Sequence, residues 1–159
     1  MAKIAMDSID YAILNRLQQD GRASNVELSD DANLSPPQCH RRLRRLQADK
    51  IISRYVALLN PSEVGIDVVA FVSIAIDRDQ YHHLPEFEKS IAGFPEVLEF
   101  YLLAGDHDYL LKIVARDLEA LSSFMTKKLM QVRGIVRTRT TVTLREIKYT
   151  TALPIDSVR

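Results

Sequence analysis

The 159-residue sequence has one cysteine, Cys39, and no net charge: 21 lysines and arginines balance 21 aspartates and glutamates. A single cysteine excludes an internal disulfide framework, and a reducing cytoplasm is the expected setting. With this neutrality, global electrostatics argues only weakly for a nucleic-acid partner. No apolar run approaches the ~20 residues of a membrane span, and the opening "MAKIAMDSID" does not read as a signal peptide. No membrane partner is expected. Catalytic patterns are also missing. The sequence shows no Ser/His/Asp or Cys/His arrangement, no acid–base pair of carboxylates and no glycine-rich phosphate loop, so an enzyme is not expected.

What is present is a local concentration of charge. In "LSPPQCHRRLRRLQ" (34–47), four arginines and a histidine fill six positions. Ser35 is placed to cap a helix, Pro36 fits its first position, and Gln38 stands at capping-box distance. On that helix Cys39, Leu43 and Leu46 form one apolar stripe, and the remaining residues from Gln38 to Arg45 are polar. A small buried thiol is the reading for Cys39. A solvated charged face is the plain reading of the arginines, but such faces mix signs, and this one has no acid until Asp49. Arginines in this number suit phosphates and guanine edges, which accept two N–H groups at once. Residues 1–60 hold nine basic and seven acidic side chains, only a modest excess, so the case rests on this grouping within the segment.

The surrounding pattern predicts three helices. Ile9, Ile13, Leu14 and Leu17 mark the first, with Gly21 placed as a left-handed cap. Ser24 and Glu27 start a short second helix over 26–32, ended by Asn33 in the left-handed region. The basic helix follows after a very short turn. This is a helix-turn-helix, whose second member enters the major groove of double-stranded DNA. Ser35, Pro36, Pro37, Gln38, His40 and Arg41 lie at the end that reaches base edges, and Arg44 and Arg45 lie a turn further, toward phosphate. "IISRYVALLN" then reads as a strand.

The remaining hundred residues spell βαββαβ: strands over 67–76, 97–104, 109–115 and 134–147, and helices marked by Leu84, Phe87 and Ile91 and by Leu118, Leu121, Met125 and Leu129. His82 and His83 read as a solvated turn before the first of these helices. The order is that of a ferredoxin-like unit. Its first two strands carry apolar residues on both faces, and two helices can cover only one. The other face is expected to meet the same sheet of a second copy, giving a homodimer. "GDHD" (105–108) joins two strands with ordinary turn residues. Metal ligation by Asp-His-Asp is disfavoured, because adjacent side chains in a tight turn diverge. The end, "TTALPIDSVR", has no periodicity and reads as a loose arm or one that docks on a neighbour.

"DGRASNVELS", "LSPPQCHRRLRRL", "ALLNP" and "LLAGDHDYLLKIV" together resemble the Lrp/AsnC family of feast/famine transcription regulators, in order and over nearly the whole chain. The resemblance implies an amino-acid effector held at Gly105, Asp106, His107, Asp108 and Tyr109. Backbone N–H groups would take its carboxylate, and an aspartate its ammonium. Thr138, Thr140 and Thr141 either add hydroxyls there or simply favour a strand. The resemblance also implies assembly of dimers into octamers or similar rings, and no other cofactor. It differs at Lys50, where the family has glycine; a left-handed backbone there would strain Lys50 by about 1 kcal/mol. Asp30 and Asp31 make the second helix acidic, which argues against phosphate contacts from it.

The expected fold is α+β. An N-terminal (winged) helix-turn-helix domain over 1–53 is joined by a linker strand over 54–62 to a ferredoxin-like effector and oligomerisation domain over 63–150. A tail over 151–159 follows. The expected function is sequence-specific transcription regulation under a small effector. An enzyme, or an effector-binding protein that has lost DNA binding, are the competing classes.

Overall fold

Three short polar caps start the three helices of the first part of the chain. The computed structural model describes residues 5–77 and 83–155; His82 and the last four residues lie outside these. Asp7 accepts the Asp10 N–H at 2.9 Å, and Asp10 returns the contact to the Asp7 N–H at 3.2 Å, opening α1 (Ser8–Gln19). Ser24 and Glu27 form the same reciprocal pair ahead of α2 (Asn25–Asp31). At α3 (Pro36–Ala48), Gln38 Oε1 accepts from both the N–H and the hydroxyl of Ser35. Each pair satisfies amides that a helix start leaves open.

The ends of α2 and α3 share one device. Asn33 has φ 52° and Lys50 has φ 55°. Past α2, Asn33 donates to Asp30 O and Leu34 to Ser29 O; past α3, Lys50 donates to Gln47 O and Ile51 to Leu46 O. Both are Schellman motifs, which need a left-handed residue just beyond the helix. The one at Asn33 makes the tight turn of the helix-turn-helix. At Lys50 the conformation is imposed on a residue with a Cβ. Lys50→Gly is therefore expected to stabilise the chain by about 1 kcal/mol, read as a raised midpoint of urea unfolding.

Three sequence expectations change here. Gly21 is not left-handed, since the described glycines with positive φ are Gly65 and Gly134. The chain leaves α1 through extended Asp20, whose carboxylate accepts the Arg22 N–H at 2.9 Å and makes the turn itself. The strand expected over 51–60 does not form. Ile51 and Ile52 fold back onto Leu46 O, and the chain beyond runs extended with Tyr55, Val56, Leu58 and Leu59 exposed. β-branched composition selects an extended backbone, but a strand also needs a neighbour's N–H and C=O groups. Among the described residues no strand lies between α3 and the next sheet, so the helix-turn-helix has no wing and its linker is not a strand.

The chain divides into two compact units: Met1–Leu58 with Lys148–Arg159, and Leu59–Ile147. In the first, Ile13, Leu28, Cys39 and Leu46 form the buried core, with Ile9, Leu14, Leu17 and Leu43 around it. Burial pushes the Cys39 thiol above its ordinary pKa, as expected of a small core residue. The tail belongs to this unit. The Leu153 N–H donates to Gln18 Oε1 at 2.6 Å, and Gln18 Nε2 donates to Leu153 O at 3.1 Å.

The second unit runs β1 (Val68–Ile76), α4 (Leu84–Ala92), β2 (Val97–Leu102), β3 (Tyr109–Ala115), α5 (Leu118–Lys127) and β4 (Ile135–Val142). The strands form one antiparallel sheet in the order β2-β3-β1-β4, the ferredoxin-like arrangement. Leu129 falls on a separate short turn, and β4 stops at Val142, earlier than the apolar pattern suggested. Even-numbered residues of β1 are buried, with Leu111 and Ile113 of β3, against Phe87 and Ile91 of α4 and Leu121, Phe124 and Met125 of α5. The odd-numbered residues, Val69, Phe71, Ser73 and Ala75, look the other way with Leu110, Lys112 and Val114, and neither α4 nor α5 covers them. Phe71 remains 39% exposed there.

Candidate functional site

The α3 helix turns its apolar stripe inward and divides its four arginines. Cys39 and Leu46 are fully buried and Leu43 half-buried, so the opposite side, Pro37, Arg41 and Arg44 at one-turn spacing, faces solvent. Among the described residues neither Arg41 nor Arg44 makes a hydrogen bond or an ion pair. Ser35, Pro36, Gln38 and His40 are exposed around the N-terminal end. Arg42 and Arg45 point elsewhere. Arg42 Nη1 donates to Asp7 Oδ2 at 2.8 Å and to Asp10 Oδ1 at 2.9 Å, and Arg45 Nη2 donates to Asp10 Oδ2. Asp10 is only 1% exposed, while its partners keep 23% and 43% of their side chains in water. The Asp10 N–H, and then the Arg42 guanidinium, hold the Asp7 carboxyl below its ordinary pKa. The two carboxylates raise that of Arg42.

Arg45, expected to meet phosphate, thus already has a carboxylate partner. Asp7, Asp10 and Arg42 were missed from sequence. A signal was there: Asp10 precedes Ile13, Leu14 and Leu17 at the spacing of the buried face of α1, where an acid needs a cation. On α2, Asp31 pairs with Arg16 at 2.9 Å, and Asp30 is exposed.

The second group of expected residues lies at and beside the loop between β2 and β3. Asp108 is built into the sheet. Its Oδ2 accepts the Ile76 N–H at 2.8 Å, its N–H donates to Ile74 O, and its C=O accepts from Leu103. Ile76 stands beside a register shift of β1, where the ladder gives that amide no regular partner. Asp106 is exposed. His107 is half-buried, and its Nδ1 is enclosed without a hydrogen bond among the described residues. Open space lies where a Cβ on Gly105 would project, so another molecule can approach the backbone there.

Tyr109 is a core residue. It is 1% exposed, its ring sits 5.4 Å from Phe87 and 5.0 Å from Phe100, and its hydroxyl donates to Glu88 at 2.8 Å. Its ring is packed on the helix-covered side of the sheet, away from the open loop. The threonines divide between faces. Thr138 pairs with Ile74 and Thr140 with Val72, on the helix-covered side, where the Thr140 hydroxyl meets Met125 Sδ at 3.9 Å. Thr141 pairs with Phe71 and points to the open face. A groove of about 550 Å³ beside Leu102 and Tyr109 and a cleft of about 260 Å³ beside Ile76 and Gly134 are lined by none of residues 105–108. Among the described residues no three potential metal ligands converge, and no helix is long and apolar enough to cross a membrane.

Comparison with known proteins identifies both halves. Residues 6–47 match the AsnC-type helix-turn-helix domain, and residues 69–153 match the Lrp/AsnC ligand-binding domain. The leucine-responsive regulatory protein of Escherichia coli strain K12 is 39% identical over 152 residues, 96% of this chain and 93% of its own. The chain belongs to the Lrp/AsnC family. Among solved structures, a transcriptional regulator of Neisseria meningitidis in complex with L-Met aligns with a TM-score of 0.93 at 37% identity, over 98% of this chain and all of that one. An AsnC-family regulator of Agrobacterium tumefaciens aligns at 0.91 and 36%, over 97% of this chain and all of its own. Members of the family are transcription regulators and not enzymes. The chain is accordingly a DNA-binding regulator with a helix-turn-helix and a small-ligand domain.

Proposed function

We propose that this regulator, acting in the cytoplasm, reads its operator through the outward face of α3 and responds to a free amino acid held at residues 105–108. The observation that carries the first half is the division of arginines: among the described residues Arg41 and Arg44 are unpaired and outward, one turn apart, behind an exposed N-terminal end bearing Ser35, Pro36, Pro37, Gln38 and His40. That end is the one a recognition helix presents to base edges. For the second half, exposed Asp106 supplies an anion for an ammonium group, and the backbone beside Gly105 is open to a carboxylate. His107 lies next to both. Tyr109 serves by shaping the strand under the loop. Of the threonines, Thr141 is the one on the open face, so Thr138 and Thr140 serve the strand and the core.

The open face of the sheet supports a homodimer, because Val69, Phe71, Leu110 and Val114 have no helix to cover them. Since Gly105 and Asp106 are exposed in one chain, an octamer or similar ring, in which another dimer closes the loop, fits the reading. The relative from Neisseria meningitidis was solved with L-Met, which favours an amino acid as effector here too.

A thermal-shift screen of the full chain against the twenty amino acids tests this. A ligand that binds only the folded state raises stability by about 2.7 kcal/mol at a hundredfold excess over Kd. At least one amino acid is expected to shift the midpoint in a saturable way. No shift with any of them would overturn the amino-acid reading and leave the DNA reading standing.

A further inference from the structure

Two arginines on the recognition helix are occupied from within the protein, by groups on another helix. We propose that Asp7 and Asp10 set how many cations α3 offers to the DNA backbone. By holding Arg42 and Arg45 they withhold half of its arginines from phosphate, so that binding rests on Arg41, Arg44 and contact with base edges. Asp7 and Asp10 are positioning residues: they touch no DNA and act through the two guanidinium groups. This rests on α3 being the helix that contacts DNA.

The argument is one of charge balance and geometry. Two carboxylates face two guanidinium groups, so the cluster is neutral. A carboxylate and a phosphate present alike oxygen pairs to a guanidinium, so each arginine bonds one or the other with the same N–H groups. The Arg42 contacts lie at 2.8–2.9 Å, ordinary for charge-assisted bonds. Asp10 is sealed in the unit and cannot be displaced by water, whereas Asp7 is half exposed. Phosphate contacts carry no sequence information, and each one steepens the salt dependence of binding. A helix that kept all four arginines free would gain affinity for every duplex alike. Holding two of them back lowers non-specific binding without touching base readout. This also explains why an acid occupies the buried stripe of α1, where an apolar residue would pack as well.

The test measures binding of the full chain to a random-sequence duplex over a range of salt, for wild type, Asp7→Asn and Asp10→Asn. Asp30→Asn, an exposed acid on α2, controls for net charge. Each of the first two variants adds one uncompensated cation, so the log–log slope is expected to steepen by about 0.9 per protomer. Between 50 and 200 mM salt that is about a 3.5-fold larger fall in affinity. The preference for a duplex selected by wild type is expected to narrow, and Asp30→Asn is expected to leave the slope unchanged. Equal slopes for wild type and Asp7→Asn overturn the inference, as does an equal steepening by Asp30→Asn. So does Arg45→Ala flattening the wild-type slope by about one ion, because Arg45 would then be meeting phosphate already. If Asp10→Asn does not fold, Asp7→Asn decides by the same criteria. A failure of α3 to contact DNA at all shows separately, as an Arg41→Ala variant with wild-type binding.

Discussion

Arg41→Ala is expected to weaken binding to the selected duplex by roughly 5- to 150-fold, the equivalent of about 1–3 kcal/mol for one base-reading arginine. It is expected to leave thermal stability within about 0.5 kcal/mol of wild type. The two halves of this prediction come from the same observation. Arg41 has no partner among the described residues, so its removal costs the fold nothing and costs the complex its guanidinium. Arg44→Ala adds a loss shared by all sequences and flattens the salt slope by about one ion, and the double variant is expected to show the same preference as Arg41→Ala at lower affinity for every duplex. Anisotropy titrations with the selected and a scrambled duplex, beside a melting curve, check both. Unchanged discrimination in Arg41→Ala would mean that base edges are read elsewhere.

Asp106→Ala is expected to weaken the amino acid found by the thermal-shift screen by roughly 10- to 150-fold, the loss of one charge-assisted bond of about 1.5–3 kcal/mol. DNA binding without effector is expected to persist, because the reading helix belongs to the other unit. Asp108→Ala is expected to look different. Its carboxylate satisfies the Ile76 amide, so its removal leaves a donor without a partner at the edge of the core and lowers stability by about 1–3 kcal/mol. Effector response is lost there too, with the loop that Asp108 holds. Urea unfolding separates the two variants, and effector titration of Asp106→Ala decides the role. A variant that responds like wild type would place the ammonium on another group.

The elements legible in the sequence were those specified by local rules. Caps at Ser24 and Ser35, left-handed Asn33 and the βαββαβ order all follow from short-range chemistry, and the structure has them; the left-handed turn at Lys50 followed from the family resemblance, not from the residue itself. The strand over 51–60 failed for the opposite reason: its residues favour an extended backbone, but pairing is a property of neighbours that no local pattern supplies. Gly21 misled because a side-chain turn at Asp20 did the work expected of a left-handed glycine. In the site, the basic face was visible as composition, but the division of its arginines was not. Arg42 and Arg45 meet residues 32 to 35 positions away in the chain, and only folding brings them together. Likewise "GDHD" shows two aspartates of equal standing, and the antiparallel register of β1 and β3 makes one of them a structural bond and leaves the other exposed.

The clasp between Gln18 and Leu153 joins residues 135 positions apart. During synthesis α1, α2 and α3 leave the ribosome early and can collapse around Ile13 and Leu46 while the sheet is still being made, as N-terminal segments generally do. The segment that completes that first unit emerges only after the sheet unit has been translated. A nascent chain therefore carries a first unit whose α1 still lacks its partner at Leu153, and that partner appears only once the part of the protein that senses has been made. For the same reason a C-terminal fusion partner would hang from the DNA-reading unit rather than from the sensor, so a tag placed there belongs in the list of perturbations when operator affinity is measured.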